Sequence, residues 1–154
     1  MKKVRILFWL YAAIMLWLLF GQRMGTPPVG DYRQLLLENL NLRPFETLSR
    51  FWWVLVHSNQ RGLMLHAFMN LGGNVVLFIP LGLFLPALWQ KLDRFLPFFA
   101  YVAALIAAVE LIQLFTLLGS CDVDDLILNL LGATLGFFLR RLWLLRKKQR
   151  PASK

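Results

Sequence analysis

Four stretches of this chain are apolar around their full circumference for close to the length a helix needs to cross a bilayer, about 20 residues. They are Ile6 to Phe20, His66 to Trp89, Phe95 to Leu118 and Leu126 to Leu145. A helix that is hydrophobic all round has no wet face, so it sits in a large core or against lipid. A chain of 154 residues cannot bury four such helices in a soluble core. Composition agrees: 58% of residues are hydrophobic and only 16% are charged, where soluble domains carry about 25% charged residues. An ordinary soluble enzyme, a disordered chain and a repeat solenoid are excluded. The fold class expected is all-α, a polytopic membrane helical bundle with four transmembrane helices, forming one domain over residues 1–154.

The net charge of +9 would suggest nucleic acid in a soluble protein. Here the basic residues flank apolar segments, where they act as topology signals and anionic-lipid contacts. Lys2, Lys3 and Arg5 precede the first span, Lys91 and Arg94 fill the second-to-third loop, and Arg140, Arg141, Arg146, Lys147, Lys148, Arg150 and Lys154 occupy the basic tail, 140–154. With four spans these twelve residues share one side, which makes that side and both termini cytoplasmic. Arg23, Arg33, Arg43, Arg50 and Arg61 lie in one long loop on the other side. Trp89 and Trp143 then fall at the inner interface and Trp52 and Trp53 at the outer. The first span follows basic residues as a signal peptide would, but Gly21 to Pro28 lacks a small-x-small cleavage site, so it reads as a retained helix.

The outer loop, Gly21 to Leu65, holds an extended breaker at Thr26-Pro27-Pro28-Val29-Gly30. Beyond it Phe45, Leu48, Trp52, Leu55 and Val56 fall on one helical face, and Pro44 suits the first turn of such a helix. Two readings stay open: an amphipathic helix lying on the outer leaflet, or a connector packed on the bundle.

Polar residues in the spans cluster toward their outer ends. Asn70 and Asn74 share a face of the second span, Glu110 and Gln113 of the third, and Asp122, Asp125 and Asn129 of the fourth. At about 1.5 Å per residue, Glu110 lies roughly 12 Å below the outer end of its helix. A charge at mid-helix costs about 2.5–3.5 kcal/mol on insertion scales. Glu110 escapes that cost by facing the bundle interior, taking a proton, or pairing with Gln113, Asn74 or a loop arginine. Intramembrane acids default to a functional reading, while interhelical glue is the plainer alternative. The Cys121-Asp122-Val123-Asp124-Asp125 run has a bland account too, because Asp122 suits a helix cap. Capping needs one or two acids, and this run has three. The excess points to a partner, either a cation held by oxygen ligands or a distant arginine, with Arg43 the first choice as the partner of Asp125. On this reading Asp125 matters most, Asp122 caps the helix, and Asp124 points away from the polar stripe and is the most replaceable.

Gly132 and Gly136 continue the Asp125 and Asn129 stripe as a GxxxG pair that lets helices approach closely. Pro80 and Pro86 sit inside the second span, where each removes a backbone hydrogen bond. His57 and His66 match no metal spacing, and Cys121 has no nucleophilic partner nearby in sequence. No metal and no cofactor is assigned, and no nucleic-acid module is read.

Several motifs occur in order: Asn41-Leu42-Arg43-Pro44-Phe45, Asn70-Leu71-Gly72-Gly73-Asn74 leading to Phe78-Ile79-Pro80-Leu81-Gly82, Glu110-Leu111-Ile112-Gln113, and Asp122 through Gly132. Together, over about residues 39–138, they make the chain resemble the VanZ-like family. In that family an arginine commonly stands just before the acidic run, after a glycine, where this chain has Gly119-Ser120-Cys121. The resemblance implies a small integral protein of the bacterial cytoplasmic membrane that acts at the cell envelope, with teicoplanin-type antibiotic resistance in the family's namesake.

Joined to the residue reading, this gives an outer polar pocket of Asn70, Asn74, Glu110, Gln113, Asp122, Asp125, Asn129 and Arg43 beside a Trp-rich helix. The leading function is non-catalytic: lipid binding, or screening, of a lipid-linked cell-wall precursor or a lipoglycopeptide at the outer leaflet. A membrane enzyme acting on a lipid phosphate, and a lipid or proton transporter, are the alternatives. Expected partners are membrane lipids and such a lipid-linked molecule, with homo-oligomerisation left open and no nucleic acid.

Overall fold

The computed structural model describes residues 2–21 and 29–149. Most of the Thr26 to Gly30 breaker, Arg23, and the tail residues Arg150 and Lys154 lie outside them. Six α-helices occur among the described residues: α1 (Lys2–Phe20), α2 (Tyr32–Glu38), α3 (Glu46–His57), α4 (Arg61–Leu88), α5 (Phe95–Thr116) and α6 (Val123–Gln149). A 3₁₀ turn, Gln90–Asp93, joins α4 to α5. Helices α1, α4, α5 and α6 are long and apolar enough to cross a membrane, so the four expected spans and the all-α class are present. The basic residues Arg140 to Lys148 belong to the last turns of α6 rather than to a separate tail.

The close pair is α4 with α6. A Cβ built on Gly132 would run into the Val75 carbonyl, one on Gly136 into the Ile79 carbonyl, and one on Gly82 into the Ala133 carbonyl. Small residues are thus required from both helices, and van der Waals contact between backbones replaces the hydrophobic drive that lipid removes. The expected GxxxG pair is half of this device, and Gly82 supplies the other half.

Around that pair the core runs from Phe78, Leu81 and Leu85 on α4 to Ala133 and Phe137 on α6. Phe98, Val102 and Ile106, four residues apart, turn one face of α5 inward, and the Phe98 and Phe137 rings meet at 4.7 Å. Toward the C-terminal end of α6, Arg140 Nη1 donates to Asp93 Oδ1 at 2.6 Å. Helix α1 is peripheral. Phe8 and Met15 join the core, while Trp9, Ile14 and Trp17 stay exposed. The Tyr11 hydroxyl donates to the Leu77 carbonyl at 2.8 Å, close to where Pro80 denies a backbone N–H to α4. Helix α4 runs unbroken through both prolines.

Two features beside the α5–α6 connection go beyond the sequence reading. Helix α2 is capped by Asp31, whose Oδ2 accepts from the Gln34 N–H at 3.1 Å, and it docks through the Tyr32 hydroxyl on the Phe115 carbonyl. A short parallel pair then forms between β1 (Leu40–Asn41) and β2 (Cys121–Asp122), with Leu40 beside Cys121 and Asn41 beside Asp122. It ties the segment between α2 and α3 to the α5–α6 connection.

Helix α3 is amphipathic, but the expected single face divides. Thr47 is buried, and Leu48, Phe51 and Leu55 are half-buried on the side that meets α4, whereas Phe45, Trp52, Trp53 and Val56 are exposed. The helix is therefore a packed connector that keeps an aromatic outer face. Pro44 is not in its first turn. It precedes the cap residue Phe45, which takes a left-handed conformation at φ 66°.

Candidate functional site

The acidic run is built into the structure residue by residue. Asp122 ends β2 and caps α6, its Oδ1 accepting the Asp124 N–H at 2.8 Å. Its Oδ2 accepts from the Thr47 hydroxyl at 2.6 Å and the Asn41 side-chain amide at 3.2 Å. Asp124 is fully buried. Its Oδ1 takes the Phe45 N–H at 2.6 Å and its Oδ2 the Leu48 N–H at 3.0 Å. These are orphan donors at the start of α3, so Asp124 caps a helix other than its own. The expectation that Asp124 points away and is dispensable is thereby corrected. On the α6 wheel it does leave the Asp125 stripe, but the direction it takes holds the start of α3.

Asp125 meets α4 instead, its Oδ1 accepting from the Asn74 amide at 2.5 Å. Glu110 on α5 is buried, and its Oε2 accepts the Asp122 N–H at 3.3 Å. The structure therefore brings Glu110, Asp122, Asp125 and Asn74 to one level where α4, α5 and α6 converge. Asn129 lies one turn deeper on the Asp125 face, buried, and Asn70 one turn above Asn74. Gln113 has separate work. Its side-chain amide donates to the Leu19 carbonyl, fixing the end of α1, and its own carbonyl accepts the Gly119 N–H.

Arg43 does not pair with Asp125. Its side chain is 85% exposed and faces Glu46 at 4.0 Å. It does line an open groove of about 600 Å³ whose walls also include Glu38, Asn41, Arg50, Ser120 and Asp122. Arg50 lies over the Phe51 ring at 5.7 Å. The groove combines the exposed guanidinium groups of Arg43 and Arg50 with the carboxylates of Glu38, Glu46 and Asp122 and the Asn41 amide, which donates to Asp122. Guanidinium forks match phosphate and carboxylate oxygens.

Cys121 precedes Asp122 on β2. Burial, and then the charges of Glu110 and Asp122, push its thiol above the usual range, which keeps it protonated and unreactive at neutral pH. Among the described residues no three His, Cys, Asp or Glu side chains gather in a way that could hold a metal ion. Both oxygens of Asp122 and of Asp124 are already engaged by protein donors.

Sequence reasoning missed Asn41, Thr47, Arg50 and Asp124. Asn41 and Arg50 carry no periodic signal, Thr47 is an ordinary helix residue by type, and the role of Asp124 depends on a helix distant in sequence.

The VanZ/LLP1 family model matches residues 8–144. The chain is 32% identical over 131 residues to Protein VanZ of Enterococcus faecium, an alignment covering 84% of this chain and 68% of that relative. No solved structure matches it.

Proposed function

The chain belongs to the VanZ/LLP1 family, and from that premise we propose that it is a non-catalytic protein of the bacterial cytoplasmic membrane that binds a lipid-linked anionic molecule at the outer leaflet. The observation carrying this reading is the groove: the exposed Arg43 and Arg50 stand in its wall with Asn41 and Asp122, and α3, which supplies Arg50, also exposes Trp52 and Trp53 at 66% and 60%. A headgroup phosphate or carboxylate meets the arginines, and the attached hydrocarbon lies along the tryptophans, which favour membrane interfaces. A lipid-linked cell-wall precursor and a lipid-tailed glycopeptide of the teicoplanin type both carry that combination, so sequestering either would alter envelope sensitivity. The orientation follows the basic clusters, with both termini cytoplasmic and the groove outside. Catalysis on a lipid phosphate is supported less well, because Asp122 and Asp124 spend both oxygens on structural hydrogen bonds.

The test is native mass spectrometry of the full chain with undecaprenyl phosphate, undecaprenol and teicoplanin. Undecaprenyl phosphate or teicoplanin should be retained in preference to undecaprenol, and the Arg43→Ala/Arg50→Ala variant should lose that preference. Equal retention of undecaprenol, or an unchanged preference in the double variant, would overturn the reading.

A further inference from the structure

At the other end of α5 from the groove, three basic segments that are distant in sequence come together. The Phe8 ring on α1 meets Trp89 at 5.5 Å, which brings the start of α1, with Lys2, Lys3 and Arg5, to the turn between α4 and α5. Asp93 in that turn accepts from Arg140 Nη1 at 2.6 Å, which brings the basic end of α6 to the same turn. Among the described residues Asp93 is the one acid at this end.

The turn itself reads Gln90-Lys91-Leu92-Asp93-Arg94. By position in the chain, Asp93 could neutralise Lys91 or Arg94. The fold commits it elsewhere. Arg140 holds its Oδ1, while Arg141 Nη1 stands 3.9 Å from its Oδ2 and donates to its carbonyl at 3.3 Å. No ion pair among the described residues involves Lys91 or Arg94, and both are exposed. They line one open cleft of about 510 Å³ with Gln90 and Pro97. Phe95 and Leu96, the residues between Arg94 and Pro97, are 42% and 76% exposed and begin an apolar span.

Two cations that share a cleft and lack a carboxylate suit an anion, and basic clusters at the ends of spans attract acidic headgroups. The exposed Phe95 and Leu96 suit hydrocarbon, which a free phosphate does not bring. We infer that Lys91 and Arg94 form a site for the headgroup phosphate of an anionic phospholipid, of phosphatidylglycerol chemistry, whose acyl chains lie along the start of α5. A zwitterionic headgroup carries an ammonium group that both side chains repel, so the site selects net negative charge. The site is independent of the groove, since neither Arg43 nor Arg50 takes part.

The experiment is native mass spectrometry of the full chain in neutral detergent, with phosphatidylglycerol and with phosphatidylcholine of the same acyl chains. Phosphatidylglycerol should be retained in preference, and inorganic phosphate should not displace it. Lys91→Gln/Arg94→Gln should lose the preference. Arg146→Gln/Lys147→Gln removes the same charge farther along α6 and should keep it. All these side chains are exposed, and melting in detergent should match the parent. Arg43→Ala/Arg50→Ala should also keep the preference, so failure of the groove reading and failure of this site are told apart. Absence of a preference in the parent, its survival in Lys91→Gln/Arg94→Gln, or displacement by inorganic phosphate would overturn the inference. Equal loss in Arg146→Gln/Lys147→Gln would overturn it as well, leaving a diffuse basic surface in place of a site.

Discussion

Asp124 of α6 caps the N-terminus of α3: its carboxylate takes the Leu48 N–H at 3.0 Å on one oxygen and the Phe45 N–H at 2.6 Å on the other. A fully buried acid thereby satisfies donors that α3 cannot pair internally. It also offsets the left-handed backbone of Phe45, a conformation that is uncommon for a bulky residue.

Replacing Asp124 tests that clamp. Asp124→Ala strands two part-buried N–H groups and should cost about 1.5–3 kcal/mol, the range for hydrogen bonds to a charged group. Asp124→Asn keeps one acceptor and should cost less. Limited proteolysis should cut near Phe45 faster in the Ala variant. Equal protection of parent and Ala variant would mean that α3 is held by its apolar contacts alone.

The α4–α6 contact should tolerate no side chain at Gly132. Gly132→Ala places a methyl group against the Val75 carbonyl, and overpacking of this kind costs about 1–3 kcal/mol. Gly73→Ala adds the same methyl group where there is space. Melting of the two variants in detergent should separate them, with Gly132→Ala clearly lower. The opposite order would contradict the parallel packing of α4 on α6.

Asp125 and Arg43 should not behave as a pair. Arg43 meets Glu46 at the surface, while Asp125 is bonded to Asn74. Exchanging the charges at positions 43 and 125 should therefore not restore the stability lost by changing Asp125 alone. Recovery to parental melting in the exchanged protein would reinstate the long-range pair.

Cys121 offers a pH test. Its thiol is pushed up by burial and by the Glu110 and Asp122 charges, so at a given pH it holds less thiolate than a free cysteine. Maleimide labelling should be slow at neutral pH and should rise through a range above the ordinary thiol value of about 8.5. Glu110→Gln removes one of the two charges and should accelerate labelling at fixed pH. An unchanged rate would place the Glu110 charge too far away to act.

Topology follows from the basic clusters. Reporter fusions after Lys154 and in the Gln90–Asp93 turn should report cytoplasm, and fusions near Gly30 and Ser120 should report the outside. An external signal from Lys154 would invert the protein and turn the groove toward the cytoplasm.

Hydrophobic length and helical period are local properties of a chain. They marked out the four spans, the clustering of polar residues toward one end of the spans, the Asp122 cap and the small-residue stripe before any fold was known. A helical wheel states which side of its own helix a residue takes, but not what stands there. Asp124 is 79 residues from Phe45 in sequence, and its meaning depends on where α3 is laid down. The β1–β2 pair decides that, since it draws Asn41 beside Asp122 and lowers Thr47 onto the same carboxylate. Arg43 illustrates the reverse case. Its charge and its proline neighbour suggested a distant acidic partner, but its side chain lies at the surface beside Glu46. Tertiary structure alone settled which acids are consumed by capping and which, Glu110 and Asp125, remain without a basic partner among the described residues, because a carboxylate is satisfied by donors and those donors come from elements far apart in sequence.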